Sequence, residues 1–371
     1  MGGRELVKIP TRLEEIKIDW LNEALAESET FPRHEIVSID RTTLSGGGQG
    51  FLGQTCRLHL TYRSGSAHTP ETIVVKISHH DSEFLKNVSS FFRREVFFYT
   101  KISQRSSIRS PLCYYGDFDE NTGNSVLLLE DLGGGQIGDM ISGGSVEASI
   151  TALNELVRLH VAWWDREELD DLEWIPQMPK LEDPQSKQQL LDIYAVGWTL
   201  FSEKFGDAIP RQVQETWEVF TQEFDKIRDL SIAPPLTLCH GDYHLENMAF
   251  SETSEHCKVT VFDWQCLRVS QGPLDLCYFL VYNLDPHLRR KHEADFIHLY
   301  VNKLLEADIT DYSLDQCQHA YKVALYELLL TRTVMAGGHL DTSNERAQTL
   351  FQAILHRVDE AISDHPLQEL I

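Results

Sequence analysis

The sequence is poor in what would tie it to nucleic acid, a membrane or an oxidising compartment. Its 371 residues hold 33 Lys plus Arg against 57 Asp plus Glu, a formal charge of −24. A chain so short of cations lacks the phosphate-neutralising groups on which nucleic-acid affinity rests, and an anionic lipid surface would repel it. Cysteine is sparse and scattered: Cys56, Cys113, Cys239, Cys257, Cys266, Cys277 and Cys317 make an odd number with no CxxC pair. This spacing argues against a disulfide framework or a zinc ribbon and fits free thiols in a reducing cytosol. No apolar run approaches membrane-spanning length. The opening MGGRELVKIPTRLEE lacks the apolar core of a signal peptide, and Leu6 stands where a myristoylation signal needs Ser or Thr. The expectation is a soluble cytoplasmic protein that binds neither nucleic acid nor membrane.

What is present is a globular balance, 42% hydrophobic and 24% charged, long enough for two lobes. The first third reads as strands. EIVSID (35–40) leads into a glycine-rich stretch, and QTCRLHLTY follows with Cys56, Leu58, Leu60 and Tyr62 on one face. ETIVVKI is a third strand, Ser82 to Ile102 has helical spacing with a stripe through Phe91, Val96 and Tyr99, and SVLLL (125–129) is a further strand. After a glycine-rich connector from Gly133 to Gly144 the texture turns to long helical periods, interrupted between Pro235 and Gln265 by short strand-like pieces around a polar loop. A strand-rich front and a helical back make an α+β, two-lobe plan.

Three segments carry chemistry. Gly48-Gln49-Gly50-Phe51-Leu52-Gly53 fits GxGxxG, but a strand follows it where a dinucleotide-binding fold needs a helix. It is a hairpin, either an ordinary one or one whose amides lie over nucleotide phosphates. Lys76 lies in a strand too apolar to hold an ammonium without a partner, and Glu95 on the next helix could supply one. The alternative is a surface lysine snorkelling from an edge. The third segment is His240-Gly241-Asp242-Tyr243-His244-Leu245-Glu246-Asn247. Asp and Asn five apart in a loop between short strands have the spacing of a kinase catalytic loop, with Asp242 orienting an attacking hydroxyl and Asn247 reaching a magnesium ion. Asp263, after the next strand, supplies the carboxylate that magnesium prefers. His240 and His244 are four apart, but without the glutamate of HExxH, and with a glycine between them, they do not make a metalloprotease helix.

With these residues in place, the chain resembles the aminoglycoside phosphotransferase and choline kinase branch of the protein-kinase-like fold. The resemblance spans essentially the whole chain, through the glycine loop, Lys76, Glu95, Glu130-Asp131-Leu132, HGDYHLEN and FDWQ. Leu159 to Trp164 (LHVAWW) is similar to the LHAxxW helix of the choline kinase-like and ecdysteroid kinase-like subgroup, and Gln271-Gly272-Pro273 with Asp275-Leu276 is similar to that family's GxPxxDL element. The resemblance implies a bilobal fold: an N-terminal nucleotide-binding lobe (1–131) of antiparallel sheet with one helix, and a mainly helical C-terminal lobe (132–371) with the catalytic loop and acceptor site. It implies ATP and Mg2+ as cofactors. The nucleotide would be held by Gly48, Gly50, Gly53, Lys76, Glu95 and the backbone from Glu130 to Leu132, the catalytic base would be Asp242, and the metal ligands would be Asn247 and Asp263. Asp275 would brace the loop, with His160 and His240 structural.

The departures also inform. Gly241 replaces the arginine of protein kinases, Trp264-Gln265 replaces Phe-Gly, and only eleven residues (264–274) separate Asp263 from Asp275. That leaves no peptide-binding activation segment, so the expected acceptor is a small hydroxyl compound. Ecdysteroid kinase-like members often carry Trp where this chain has His244 and Phe where it has Trp264, which sets the chain between subgroups. The acidic residues Asp165, Glu168, Asp170, Asp171 and Glu173 beside Trp163, Trp164 and Trp174 could line a cationic-acceptor pocket, although solvated carboxylates over core tryptophans are the plainer reading. Arg289-Arg290-Lys291-His292 reads as an exposed helix start. The leading function is a small-molecule kinase. Its competitors are a catalytically silent nucleotide-binding scaffold, which predicts loss of Lys76, Asp242, Asn247 or Asp263, and an aminoglycoside-resistance phosphotransferase.

Overall fold

The computed structural model describes residues 7–26, 28–44, 49–50, 53–65, 69–78, 82–176, 184–252 and 257–370. The chain divides into two compact units, one made of the residues up to Gly135 together with Thr260–Leu267, the other of Gln136–Val259 and Arg268 onward. The division expected after residue 131 thus falls four residues later, and the segment carrying Asp263 returns to the first unit.

The first unit is built on an antiparallel sheet. Its strands are β1 (Ile36–Thr43), β2 (Gln49–Gly50), β3 (Gly53–Tyr62), β4 (Thr72–Ser78), β5 (Cys113–Phe118) and β6 (Ser125–Glu130), in the spatial order β1-β3-β4-β6-β5, with β2 folded back on β3. Alternation does what the sequence reading expects of it. Cys56, Leu58 and Leu60 of β3 and Ile73, Val75 and Ile77 of β4 turn into one core with Val126 and Leu128. This leaves Lys76 on the opposite face of β4, half-buried. The helix α1 (Ile18–Ala26) caps that core through Leu21, Ala24 and Leu25, an addition to the single helix expected. The other helix, α2 (Ser82–Phe97), continues into a π-helical turn, Phe98–Ile102. Its buried stripe runs through Phe92, Val96 and Tyr99, and Phe91 sits half-exposed under the Arg94 guanidinium.

The second unit is mainly helical. The expected glycine connector contains a strand the sequence concealed, β7 (Gln136–Ile137), which pairs with β9 (Met248–Glu252) beside β10 (Cys257–Val261). Between β7 and β9 come α3 (Val146–Trp163), α4 (Pro184–Phe205), α5 (Arg211–Gln222), α6 (Phe224–Ser231) and β8 (Thr237–Cys239), the last paired with β11 (Arg268–Ser270). Ser145 starts α3 by accepting the Ala148 amide at 3.1 Å. Every residue of α7 (Pro273–Asn283) is buried, which suits a largely apolar helix whose Asp275 and Asn283 side chains are hydrogen-bonded. Around it lie α8 (Pro286–Glu306), α9 (Leu314–Ala324), α10 (Thr331–His339) and α11 (Glu345–Asp364). The basic cluster at the start of α8 is not simply exposed. Arg290 and Lys291 reach solvent, but Arg289 is 1% exposed and ion-paired with Glu293 and with Asp364 of α11. A charge buried in this way is tolerated because it is paired.

Candidate functional site

In the first unit the pleat of β4 aims Lys76 away from the core, and the last turn of α2 brings Glu95 to meet it. Lys76 Nζ donates to Glu95 Oε1 at 2.8 Å and to Asp263 Oδ1 at 3.1 Å. Burial opposes the ammonium, but the Asp263 and Glu95 carboxylates outweigh it and raise the Lys76 pKa. Burial pushes the Glu95 carboxyl up to about 7, against the pull of Lys76, with Gln265 as a further hydrogen-bond partner. Asp263 itself has left-handed backbone angles (φ 66°, ψ 66°), which Asp tolerates better than most residues. Two anchors hold it there. Trp264 stacks on Phe98 with ring centroids 3.6 Å apart, and Thr260 Oγ1 accepts from Arg109 Nε at 2.7 Å.

The glycine loop falls partly among the described residues. Gly48 lies outside the described residues, while Gly50 and Gly53 face each other as strand partners. Gly53 is required by packing, because a Cβ there would lie 2.5 Å from the Ile77 carbonyl oxygen. At the end of β6, Glu130 exchanges bonds with the Leu112 backbone (N to O 2.8 Å, Leu112 N to Oε2 3.1 Å). The Leu132 carbonyl accepts from Gly135 N at 2.7 Å. Between them sits a pair the sequence reading missed: Arg57 of β3 grips Asp131 with two parallel bonds, one of them Nη2 to Oδ1 at 2.9 Å. The two residues are 74 positions apart and no local pattern marks them.

In the second unit the polar loop after β8 is held from below by Asp275, at the first turn of α7 and fully buried. One carboxylate accepts the His240 amide at 2.6 Å and the Gly241 amide at 2.9 Å. Gly241 has φ +76°, a conformation that explains a glycine where protein kinases have arginine. His160, also fully buried, bonds Tyr300 Oη at 2.8 Å and lies 3.4 Å from Asp275. His160, Cys239 and Asp275 form the one close metal-ligand-type trio among the described residues. Cys239 donates its thiol to the Gln271 carbonyl at 3.4 Å, and burial pushes its pKa well up. A protonated, committed thiol is a poor metal ligand, so this trio is a brace.

Asp242 is the most contested side chain of the loop. Its Oδ1 accepts from Arg332 Nη1 at 2.6 Å and Tyr278 Oη at 2.8 Å, and its Oδ2 from Asn247 Nδ2 at 3.2 Å, with His244 Nε2 at 3.3 Å. Burial favours the neutral acid, but His244, Arg332 and Tyr278 outweigh it and hold the carboxyl well below its usual range. Sequence reasoning missed Tyr278 and Arg332. Tyr278 could have been found, since it lies three residues beyond Asp275 on a helix and so shares its face. Arg332, ninety positions from Asp242, has no such signal. Asn247 also donates to the Asp242 carbonyl at 3.0 Å. With its amide nitrogen spent on acceptors, its Oδ1 is the atom left to receive a cation. The acidic residues 165, 168, 170, 171 and 173 are all exposed, Trp163 is 1% exposed, and Trp164 packs edge-on against Tyr312 at 4.9 Å. The carboxylates of that cluster are thus solvated, but of its three tryptophans only Trp163 is in the core, Trp164 and Trp174 being half-buried.

The comparison that decides the family is direct. The model of the ecdysteroid kinase-like family matches residues 47–310. The chain belongs to the ecdysteroid kinase-like family. Known structures show the family's fold in this chain. It is similar to the ethanolamine kinase Pv091845 of Plasmodium vivax (TM-score 0.51, 11% identity, 87% of this chain and 83% of that one). It is also similar to aminoglycoside 2'-phosphotransferase-IIIa in its GDP complex (0.52, 11%, 94% and 99%), and to the amicoumacin kinase hAmiN in complex with AMP-PNP, Ca2+ and Ami (0.51, 14%, 97% and 100%). At such identities the likeness is one of fold, the protein-kinase-like fold that the motifs imply. A curated relative, the uncharacterized oxidoreductase dhs-27 of Caenorhabditis elegans, is 22% identical over 286 residues, 70% of this chain. The chain spans about a third of that relative's length (34%). The strand pairings around the glycine hairpin are antiparallel, unlike the parallel sheet of a dinucleotide fold.

Proposed function

We propose that this ecdysteroid kinase-like protein is an ATP- and Mg2+-dependent small-molecule kinase, transferring the γ-phosphoryl group to a hydroxyl of a small acceptor. The observation that carries the reading is Lys76, kept charged and aimed by two carboxylates 19 and 187 positions away. In this reading Lys76 holds the α- and β-phosphates, Glu95 orients it, and the β2–β3 hairpin amides and the backbone from Glu130 to Leu132 receive the rest of the nucleotide. Asp263, whose side chain is 36% exposed, and the Asn247 Oδ1 are oxygen donors of the kind Mg2+ takes along with several waters. When bound, the metal would neutralise charge on the transferring phosphoryl group.

Asp242 accepts the hydrogen bond of the acceptor hydroxyl and fixes its direction. Held as a weak base, it takes the proton only as the oxygen–phosphorus bond forms, which suits a transfer in which positioning contributes most of the catalysis. The bracing of His240 and Gly241 by Asp275 keeps that carboxylate in place. The test is ADP release with MgATP over a panel of aminoglycosides, choline, ethanolamine, sugars, nucleosides and sterols. Asp242→Asn is expected to keep nucleotide affinity and to lose about 10²-fold or more in turnover. Full turnover in that variant overturns the base, and nucleotide binding without ADP release on any acceptor supports a silent scaffold instead.

A further inference from the structure

Asp242 is surrounded by cation and donor. From the catalytic loop it meets His244 and Asn247, from α7 the Tyr278 hydroxyl, and from α10 the Arg332 guanidinium. Arg332 does two further things. Its Nη1 lies 3.2 Å from the Tyr278 hydroxyl, and its guanidinium carbon stands 5.1 Å from the centre of the Tyr278 ring. A site that recognises an ammonium group offers it an aromatic face or an unspent carboxylate. Here both are committed to Arg332: the ring face beside the base is already covered by a cation, and the base's charge is already balanced. At 29% side-chain exposure Arg332 is still within reach of a ligand.

We propose that Arg332 is the specificity-determining residue of the acceptor site, excluding acceptors that carry a positive charge next to the reacting hydroxyl and admitting uncharged ones. This rests on the kinase reading above. It is selection by repulsion as much as by fit: a cation entering beside Asp242 meets a fixed guanidinium that desolvation makes more costly to approach. The carboxylates between Trp163 and Trp174 lie exposed to solvent, with the Trp163 ring buried and Trp164 packed edge-on against Tyr312.

The experiment pairs alcohols of equal shape and different charge: choline against its uncharged isostere 3,3-dimethylbutan-1-ol, and ethanolamine against propan-1-ol. Binding to the full chain loaded with AMP-PNP is measured by calorimetry, and ADP release is measured with MgATP. The wild type is expected to prefer the uncharged member of each pair by about tenfold or more. Arg332→Gln should shrink or reverse that ratio by about tenfold, while Arg332→Lys, which keeps the charge, retains it. A purely structural role would weaken both members of a pair equally. If Arg332→Gln does not fold, the wild-type preference at low and high ionic strength decides, because screening must erode it. The inference is overturned by a preference for the cations, by no charge preference in the wild type (binding of neither member included), or by an unchanged ratio in Arg332→Gln. Charge-selective binding without ADP release would sink the kinase reading and leave the filter standing, whereas ADP release without charge preference would do the reverse.

Discussion

Lys76 illustrates how one side chain can be both a structural liability and the centre of a site. Its side chain is 16% exposed, and its ammonium is shared by Glu95, whose side chain is 3% exposed, and Asp263. Removing it strands a buried carboxylate, and stranding one member of a buried pair costs about 3–5 kcal/mol. Lys76→Met should therefore destabilise the protein more than the double change Lys76→Met with Glu95→Gln, in which no buried charge is left over. Urea unfolding of the two variants and the wild type measures this, and equal loss in both would refute the stranded-charge account. Nucleotide affinity should fall in both, since neither retains the phosphate-holding amine.

At the scale of elements, the β2–β3 hairpin shows that a motif can be conditioned by packing as well as by a ligand. Gly53 meets the Ile77 carbonyl oxygen and the Phe92 ring, whereas Gly134, in the turn after β6, has nothing within 4 Å of where a Cβ would stand. Gly53→Ala should push β3 off β4 and lower the thermal midpoint by several degrees, an overpacking cost of about 1–3 kcal/mol. Gly134→Ala should leave the midpoint essentially unchanged. Equal midpoints for the two variants, read by scanning fluorimetry, would refute the packing account. The buried helix α7 plays the complementary part in the second unit, carrying Asp275 to the loop backbone and Tyr278 to Asp242 on a single face.

For the molecule as a whole, an excess of acidic charge makes its few buried cations decisive. In the second unit Glu293 receives Arg289 Nη1 at 2.6 Å, Tyr321 Oη at 2.8 Å and His365 Nε2 at 2.7 Å, so that α8, α9 and the end of α11 meet at one carboxylate. Burial works against its charge, but His365 and Arg289 prevail and hold its pKa down to about 2, below the ordinary 4.5. A carboxylate depressed on folding stabilises the protein above its unfolded pKa, and that stability is lost as pH falls through the folded one. The contribution, roughly 3 kcal/mol, should be complete near neutrality and fade between 4.5 and 2. Glu293→Gln should thus lie well below the wild type in urea midpoint at neutral pH and approach it in acid. A gap independent of pH would exclude the linkage.

What the sequence determined by itself was whatever contiguous residues can specify. Alternation in β3 and β4 placed one face in the core and Lys76 on the other, and the spacing of Asp242 and Asn247, with Gly241 between them and His240, defined a loop whose geometry is local. Asp275 was legible for the same reason, as an acid at a helix start. Tertiary structure alone decided the rest. Arg57 and Asp131, Arg289 and Asp364, and above all Arg332 and Asp242 are joined across 74, 75 and 90 positions. An isolated arginine in a helical stretch looks solvated until the packing of its helix is known. The two-residue strand β7 was hidden because its pairing belongs to β9, over a hundred residues further on. Short-range geometry is written into backbone preference and side-chain period, while the charges that tune a site come from wherever the packed elements happen to bring them.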